Sequence, residues 1–507
     1  EDDEGDVEVL LQLDALFRRT ERWSDLVQVL RARAEQTMEP TEKEELLAQM
    51  AAIHDEFLES PETAIRVYNE ILEIDPTSQR ALAALDDLFQ RQEMWAELAD
   101  NVNRRLELAV EEEQQIQLML RLAELREQRM DATEAAIEIY REVLMRQPSN
   151  EAALANLERL LQAPEHQLLI AEILEPIYRD AGEVRKLIGV HEIQAKHASS
   201  PERRVELLHR IAELYEVALD DYNAAFESYS RALAEDPSNA STQEQLERLT
   251  PVIGDAEALA KTYEEQLQDL DDPMLAADLH VKAAQIRENQ LGDHPGAIAH
   301  YVKVLELDEM HLEAATALER LYQLSERYED LAQIYLKKST MLTSPDEQKD
   351  YLYRAAAIYE ELLERPNDAI GVYHKALEID PEDVQSLDKL IELNLRLENW
   401  EKLLEVYTTK ADIVVDPDEK KGLYVEVGAV YERELGDNAK AIDSYQRILE
   451  IDPDDLTALG RLDALYQATE QWQELLSVLE READLAADPS EVISYRYRIA
   501  DLWHHRL

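Results

Sequence analysis

The residues with the strongest claim to chemistry are His191-Glu192 and His197, because imidazole and carboxylate are ordinary zinc ligands. Two ligands on one helix share a face only at a spacing of three or four residues. His191 and His197 stand six apart, about 120° around a helix of roughly 3.6 residues per turn, and so point to different neighbours. The adjacent His504-His505 diverge in the same way. The acidic loops Asp452-Pro453-Asp454-Asp455 and Asp380-Pro381-Glu382-Asp383 carry enough oxygen to attract calcium weakly, yet they lack the ligand ladder and glycine of an EF-hand. Turn formation and helix capping account for them better. Close carboxylate pairs suit acid-base chemistry, but among 111 Asp and Glu such pairs arise by number alone.

The absence of cysteine removes thiol nucleophiles, disulfides and cysteine metal sites together, and names no compartment. None of the 11 glycines falls in a phosphate-cradling G-x-G-x-x-G or G-x-x-x-x-G-K pattern, and no G-x-S-x-G elbow occurs. The expectation is therefore no enzyme: no catalytic residue, no cofactor and no metal. Binding remains. With 52 basic residues against 111 acidic, the formal charge is −59, a field that repels nucleic acid and anionic membrane surfaces and favours basic proteins or peptides as partners. Solubility of a large exposed surface is the plainer account of the same charge. No apolar run approaches the roughly 20 residues that span a bilayer, so membrane insertion is not expected.

At 507 residues the chain is too long for one ordinary core, and with 45% hydrophobic residues but few glycines and prolines it must be largely helical. The elements that position its side chains repeat. Leu449-Glu450-Ile451-Asp452-Pro453 recurs 72 residues earlier as Leu377-Glu378-Ile379-Asp380-Pro381, and similar stretches end at Pro237, Pro148 and Pro76. Leu305-Glu306-Leu307-Asp308 holds the missing place, with Glu309 where proline is expected. One interval, Pro148 to Pro237, is 89 residues. Three further series keep the same register. Aromatics occur at Trp23, Trp95, Tyr328, Trp400 and Trp472, with Val184 and Ala256 between. Small residues run through Ala51, Ala123, Ala212, Ala284, Ala356, Gly428 and Ala500. Ala64, Ala136, Ala225, Ala297, Ala369 and Ala441 are each followed four positions later by a tyrosine, from Tyr68 and Tyr140 to Tyr229, Tyr301, Tyr373 and Tyr445. That agreement makes the aromatics core packing rather than a stacking site for a ligand.

Helix signals fall inside each unit. Asp416-Pro417, Ser344-Pro345, Ser200-Pro201, Asp272-Pro273 and Asp488-Pro489 place a capping residue before a first-turn proline, with Glu419 and Glu347 at capping-box spacing. Proline at 453 or 381 stops the helix before it. The spacing predicts four helices in the sixth unit, at about 384–397, 400–415, 417–435 and 438–451. Leu387, Leu390, Leu393, Leu403, Leu404 and Tyr407 give each an apolar stripe that only stacking can bury.

These residues resemble the tetratricopeptide repeat, a helix-turn-helix unit: in the sixth unit Tyr424, Val427, Gly428 and Tyr431, then Ala441, Tyr445 and Pro453, match its pattern. Leu459, Leu462 and Tyr466 with Trp472, Leu475 and Leu479 are a degenerate version, so that 72 residues hold two repeats. The resemblance covers essentially the whole chain. It implies an all-α, extended right-handed superhelical solenoid, one continuous array over 1–507 with units at approximately 5–78, 79–150, 151–239, 240–310, 311–383, 384–455 and 456–507. The third unit carries 17 additional residues within 151–183, about one helix, read as drift in a tolerant array or as a segment that bends the superhelix or forms a docking surface. The register at both ends, with residues 1–6 aligned to the close of a preceding unit and 495–507 to a third helix, leads us to expect that the natural protein continues in both directions.

The resemblance also implies a scaffold whose concave face is lined by the first helix of each pair. Candidate partner contacts there are Arg320, Tyr353, Glu360, Asp388, Glu392 and Glu432. Family members that grip a chaperone's carboxylate tail carry Lys and Asn at inward pairs. Here those pairs are Val425 with Ala429, Tyr353 with Ala357, and Asp388 with Glu392, so the clamp is absent. Two other readings stay open: a regulatory or substrate-recruiting arm of a larger enzyme, and a self-assembling component whose arrays pack as homo-oligomers. Direct RNA binding is disfavoured for want of basic patches.

Overall fold

The computed structural model describes residues 2–268 and 270–507. Among them it holds α-helices and two short π-helical turns and no strand. Helices open at Trp23, Trp95, Val184, Ala256, Tyr328, Trp400 and Trp472. In the sixth unit they span Val384–Arg396, Trp400–Ile413, Pro417–Val430 and Asn438–Ile451, each but the third ending within two residues of the sequence reading. The third continues as a π-helical turn, Tyr431–Leu435, and Ile358–Leu362 repeats that feature in the unit before.

The caps explain the boundaries. Helices begin at Pro201, Pro273, Pro345, Pro417 and Pro489, and the side chains of Ser200, Asp272, Asp416 and Asp488 accept hydrogen bonds from the first-turn amides. Ser344 makes no such bond, and Glu419 does not complete a capping box: its carboxylate lies 3.1 Å from Lys410 Nζ, because a buried ammonium competes better for it than an exposed amide. The acidic loops are turns. Asp452 accepts from the Asp454 amide at 3.3 Å, and Asp455 caps the following helix through the amides of Thr457 and Ala458.

Two compact units divide the chain, residues 1–253 and 254–507. Within each, a helix packs chiefly against its neighbours in sequence, as a stack requires. In the first, Ala51, Ala123 and Ala212 are fully buried beside Tyr68, Tyr140 and Tyr229. In the second, Ala284 and Ala356 do the same beside Tyr301 and Tyr373. At Gly428 the approach is closer still: a Cβ there would stand 2.6 Å from Tyr445 Cζ. The small residue lets the helices cross at the depth that buries the ring. The opening aromatics are only half-buried. Trp23 stacks on Phe57 at 4.0 Å between centroids, and Arg129 lies 4.8 Å over Trp95, so these rings close the ends of helices rather than fill the centre.

Two places depart from the regular pattern. Glu151–Leu160 and Gln167–Ala181 stand where other layers carry one helix before the opener. Asp2–Arg19 is helical through the residues aligned with the turn at Pro76, since Glu4 imposes no break where proline would; Glu1, also part of that alignment, lies outside the described residues.

Candidate functional site

Four residues beyond each of the first six small residues of the Ala51 series stands an acid, Asp55, Glu127, Glu216, Glu288, Glu360 and Glu432, while His504 follows Ala500. Each acid is met by an arginine from the helix that opens the next layer. The N–O distances are 2.5 Å for Arg91 to Asp55 and for Arg159 to Glu127, 2.6 Å for Arg248 to Glu216 and 2.7 Å for Arg320 to Glu288. They lengthen to 3.4 Å for Arg396 to Glu360 and 3.9 Å for Arg461 to Glu432, the two pairs whose acid sits on a π-helical turn. Three of the acids also accept the hydroxyl of the buried tyrosine behind them: Tyr140 to Glu127 at 3.5 Å, Tyr301 to Glu288 at 3.4 Å and Tyr445 to Glu432 at 3.3 Å. Burial, reinforced by the adjacent carboxylate, pushes the Tyr301 and Tyr445 phenols up to about 12.

A second polar series lies the same distance behind each opening residue. Arg33 bonds Asp14 at 2.6 Å, Arg105 pairs with Asp86, the Gln194 amide donates to Glu175 at 2.8 Å, and Lys338 reaches Glu319 at 2.5 Å. Lys410 holds Asp388 at 2.7 Å. In these five layers the acid is met by a cation or an amide from the following helix.

All six residues expected to touch a partner are engaged inside the chain. Arg320 serves Glu288, and Glu360 and Glu432 belong to the inter-layer series. Tyr353 donates to Asp383 at 2.6 Å, which also caps its helix through the Ser386 amide at 3.0 Å. Asp388 holds Lys410, and Glu392 lies 3.0 Å from Lys389. Arg320, Asp388 and Glu392 are exposed all the same, while the other three are half-buried. Sequence reasoning passed over the acidic series, although its constant offset from the Ala51 series was a sufficient signal.

The extra helix Gln167–Ala181 borders three concavities in the first unit. The largest, about 780 Å³, is lined by Gln167, Glu192, Lys196, Arg204, Leu208 and Arg231; its arginines are paired, Arg231 to Glu192 at 2.7 Å and Arg204 to Glu235 at 2.6 Å. Another, about 490 Å³, has an apolar floor of Leu154, Pro176, Ile177 and Tyr178 with Asp180 and Glu183 at its rim. His191 bonds Gln194 at 3.0 Å and His197 bonds Gln167 at 3.3 Å, so the two imidazoles serve different neighbours. Among the described residues no helix is long and apolar enough to cross a membrane.

Comparison with known proteins follows the same lines. Models described as tetratricopeptide repeat match residues 205–239, 422–455 and 458–493. No curated protein matches the chain in sequence. Among solved structures it is similar to one titled Naa15/Naa10 bound to HypK-THB, at 14% identity over 98% of this chain and 96% of that one, TM-score 0.22. It is similar to the APC/C hetero-tetramer Cut9-Hcn1 at 11% identity over 97% and 96%, TM-score 0.20. It is also similar to YrrB, a tetratricopeptide-repeat protein with an unusual peptide-binding site, at 21% identity over 40% of this chain and 97% of that one, TM-score 0.20. The chain is an all-α helical-repeat solenoid that carries tetratricopeptide repeats at 205–239, 422–455 and 458–493.

Proposed function

We propose that this chain is a scaffold that binds partner proteins or peptides, choosing segments rich in lysine and arginine, and that it has no reaction of its own. One observation carries the reading: the arginines of the inter-layer series are each engaged by an acid on the neighbouring helix, so the formal charge of −59 is left to face solvent as an acidic excess. A basic segment approaching first helices such as Leu312–Leu324 and Val384–Arg396 is steered by Asp388 and Glu392 at the surface through charge complementarity. The repeat units themselves, with boundaries as the sequence register draws them, supply the successive subsites.

The test is retention of peptides on the immobilised chain. Basic peptides are retained at about 50 mM salt and released as screening shortens the reach of the field towards about 500 mM. Equal retention of neutral or acidic peptides, or indifference to salt, refutes the electrostatic selection.

A further inference from the structure

The second polar series ends in an inversion. Arg33, Arg105, Gln194, Gln266, Lys338 and Lys410 hold a cation or an amide at the matching place, and Glu482 holds a carboxylate. Glu482 is 5% exposed and its Oε2 has no hydrogen-bond partner. The acid it faces, Asp463, is taken by Arg498, whose two terminal nitrogens lie 2.6 and 2.5 Å from its oxygens.

The surface above this carboxylate is open. Gly460 is exposed, and a Cβ built there meets nothing within 4 Å except Glu482 Oε1, at 4.0 Å. In the preceding layer the matching residue is Asp388, which reaches down 2.7 Å to Lys410. The last layer has neither the reaching side chain nor the buried cation: a notch stands where Asp388 would be, and a carboxylate with an unpartnered Oε2 where Lys410 would be.

We infer that the notch at Gly460 receives one lysine side chain of a partner protein, whose ammonium bonds Glu482 as Lys410 and Lys338 bond the acids of their own layers. The inference rests on the scaffold reading and gives it a defined subsite. The titratable and charged groups facing Glu482 are Asp463 from Leu456–Ala468, and Arg498 and Tyr495 from Pro489–His505. Burial first, then Asp463, pushes Glu482 up to about 7 against the pull of Arg498. The free site therefore carries a proton about half the time at neutral pH, and a bound ammonium sends that proton to solvent. Affinity rises with pH, by about tenfold between pH 6 and pH 8.

The probe is tetralysine, acetylated and amidated, titrated calorimetrically into the chain at pH 6 and pH 8 in buffers of different ionisation enthalpy. Wild-type protein is expected to release protons on binding and to bind more tightly at pH 8. Glu482→Gln removes the charge, and Gly460→Leu fills the notch while leaving Glu482 in place. Each is expected to lose about tenfold in affinity together with the proton release. Glu482→Lys, which restores the cation of the other layers, is expected to lose binding while raising Tm. If tetralysine binds both Glu482→Gln and Gly460→Leu as tightly as wild type, with the same pH dependence, the site falls while the basic-partner reading stands. If tetralysine fails to bind wild type at all, both fall.

Discussion

Substitution at the node formed by Glu288, Tyr301 and Arg320 separates residues that hold layers together from residues that only decorate them. Glu288 is 8% exposed and Tyr301 3%, whereas the Arg320 side chain is 57% exposed. Glu288→Ala leaves the buried Tyr301 hydroxyl without its acceptor, about 1–3 kcal/mol, and removes packed methylenes worth about 0.8 kcal/mol each, for a loss of about 2–4 kcal/mol. Tyr301→Phe removes a hydroxyl whose bond to Glu288 is long at 3.4 Å, and the carboxylate keeps Arg320 at 2.7 Å, so the loss is about 0.5–1 kcal/mol. Arg320→Ala breaks an ion pair with one solvated partner, worth about 0–1 kcal/mol. Because repeats couple chiefly to their neighbours, the assay is urea unfolding together with amide hydrogen exchange resolved by helix. Exchange should quicken in Pro273–Asn289, His294–Leu307 and Leu312–Leu324 in the order Glu288→Ala, Tyr301→Phe, Arg320→Ala. Should Arg320→Ala prove as damaging as Glu288→Ala, the carboxylate is not the centre of the node and the reasoning fails.

Three further outcomes follow from positions with unusual backbone or ionisation. Glu398 adopts φ 56°, where Gly182 and Gly254 stand at the matching turns with φ 71° and 70°; Glu398→Gly is expected to raise stability by about 0.5–1 kcal/mol in thermal melts, and a loss refutes the strain. Tyr229, Tyr301 and Tyr445 are pushed up to about 12, chiefly by burial, against about 10 in an unfolded chain, so their contribution is complete below pH 10 and lost as pH rises towards 12. Wild-type unfolding midpoints should fall between about pH 10 and 12, and fall less in Tyr301→Phe. His280, with its Nδ1 2.9 Å from that of His300, is pushed down to about 4 by burial, then by His300 and Lys303, against Glu264 and Glu306. Its contribution is present above about pH 6.5 and lost as pH falls towards 4, so His280→Gln should flatten that part of the acid melting curve.

Helix boundaries were legible because they are set locally. Proline at the first turn and a short polar side chain before it leave the backbone little choice, and Pro201, Pro273, Pro345, Pro417 and Pro489 each open a helix. The tyrosine and alanine series were legible because close packing tolerates few sizes, and their burial follows. The π-helical turns at Ile358–Leu362 and Tyr431–Leu435 leave no such mark, since the surrounding residues suit an ordinary helix equally well. Glu419 misled because a capping box is a local rule and Lys410 is a tertiary neighbour. The candidate contacts were legible as polar positions on first helices. Their internal partners were not, because an ion pair such as Arg320 with Glu288 joins different helices, and spacing along one helix says nothing of it.

Those internal partners decide where a ligand can gain affinity. In a regular layer, a lysine arriving at Glu288 or Asp388 must displace Arg320 or Lys410 from its carboxylate, and exchanging one cation for another leaves little net gain after desolvation. On the proposed reading, such positions set the field that steers a basic segment to the surface, which is an effect on encounter. Residence must come from places where the chain leaves something unanswered. The apolar floor of Leu154, Pro176, Ile177 and Tyr178 beside the extra helix is one, because apolar area is still free to be covered there. The carboxylate of Glu482 is the other: its Oε1 faces the opening at Gly460 and its Oε2 has no hydrogen-bond partner. Regularity thus makes the solenoid stable, and its irregularities give it something to recognise.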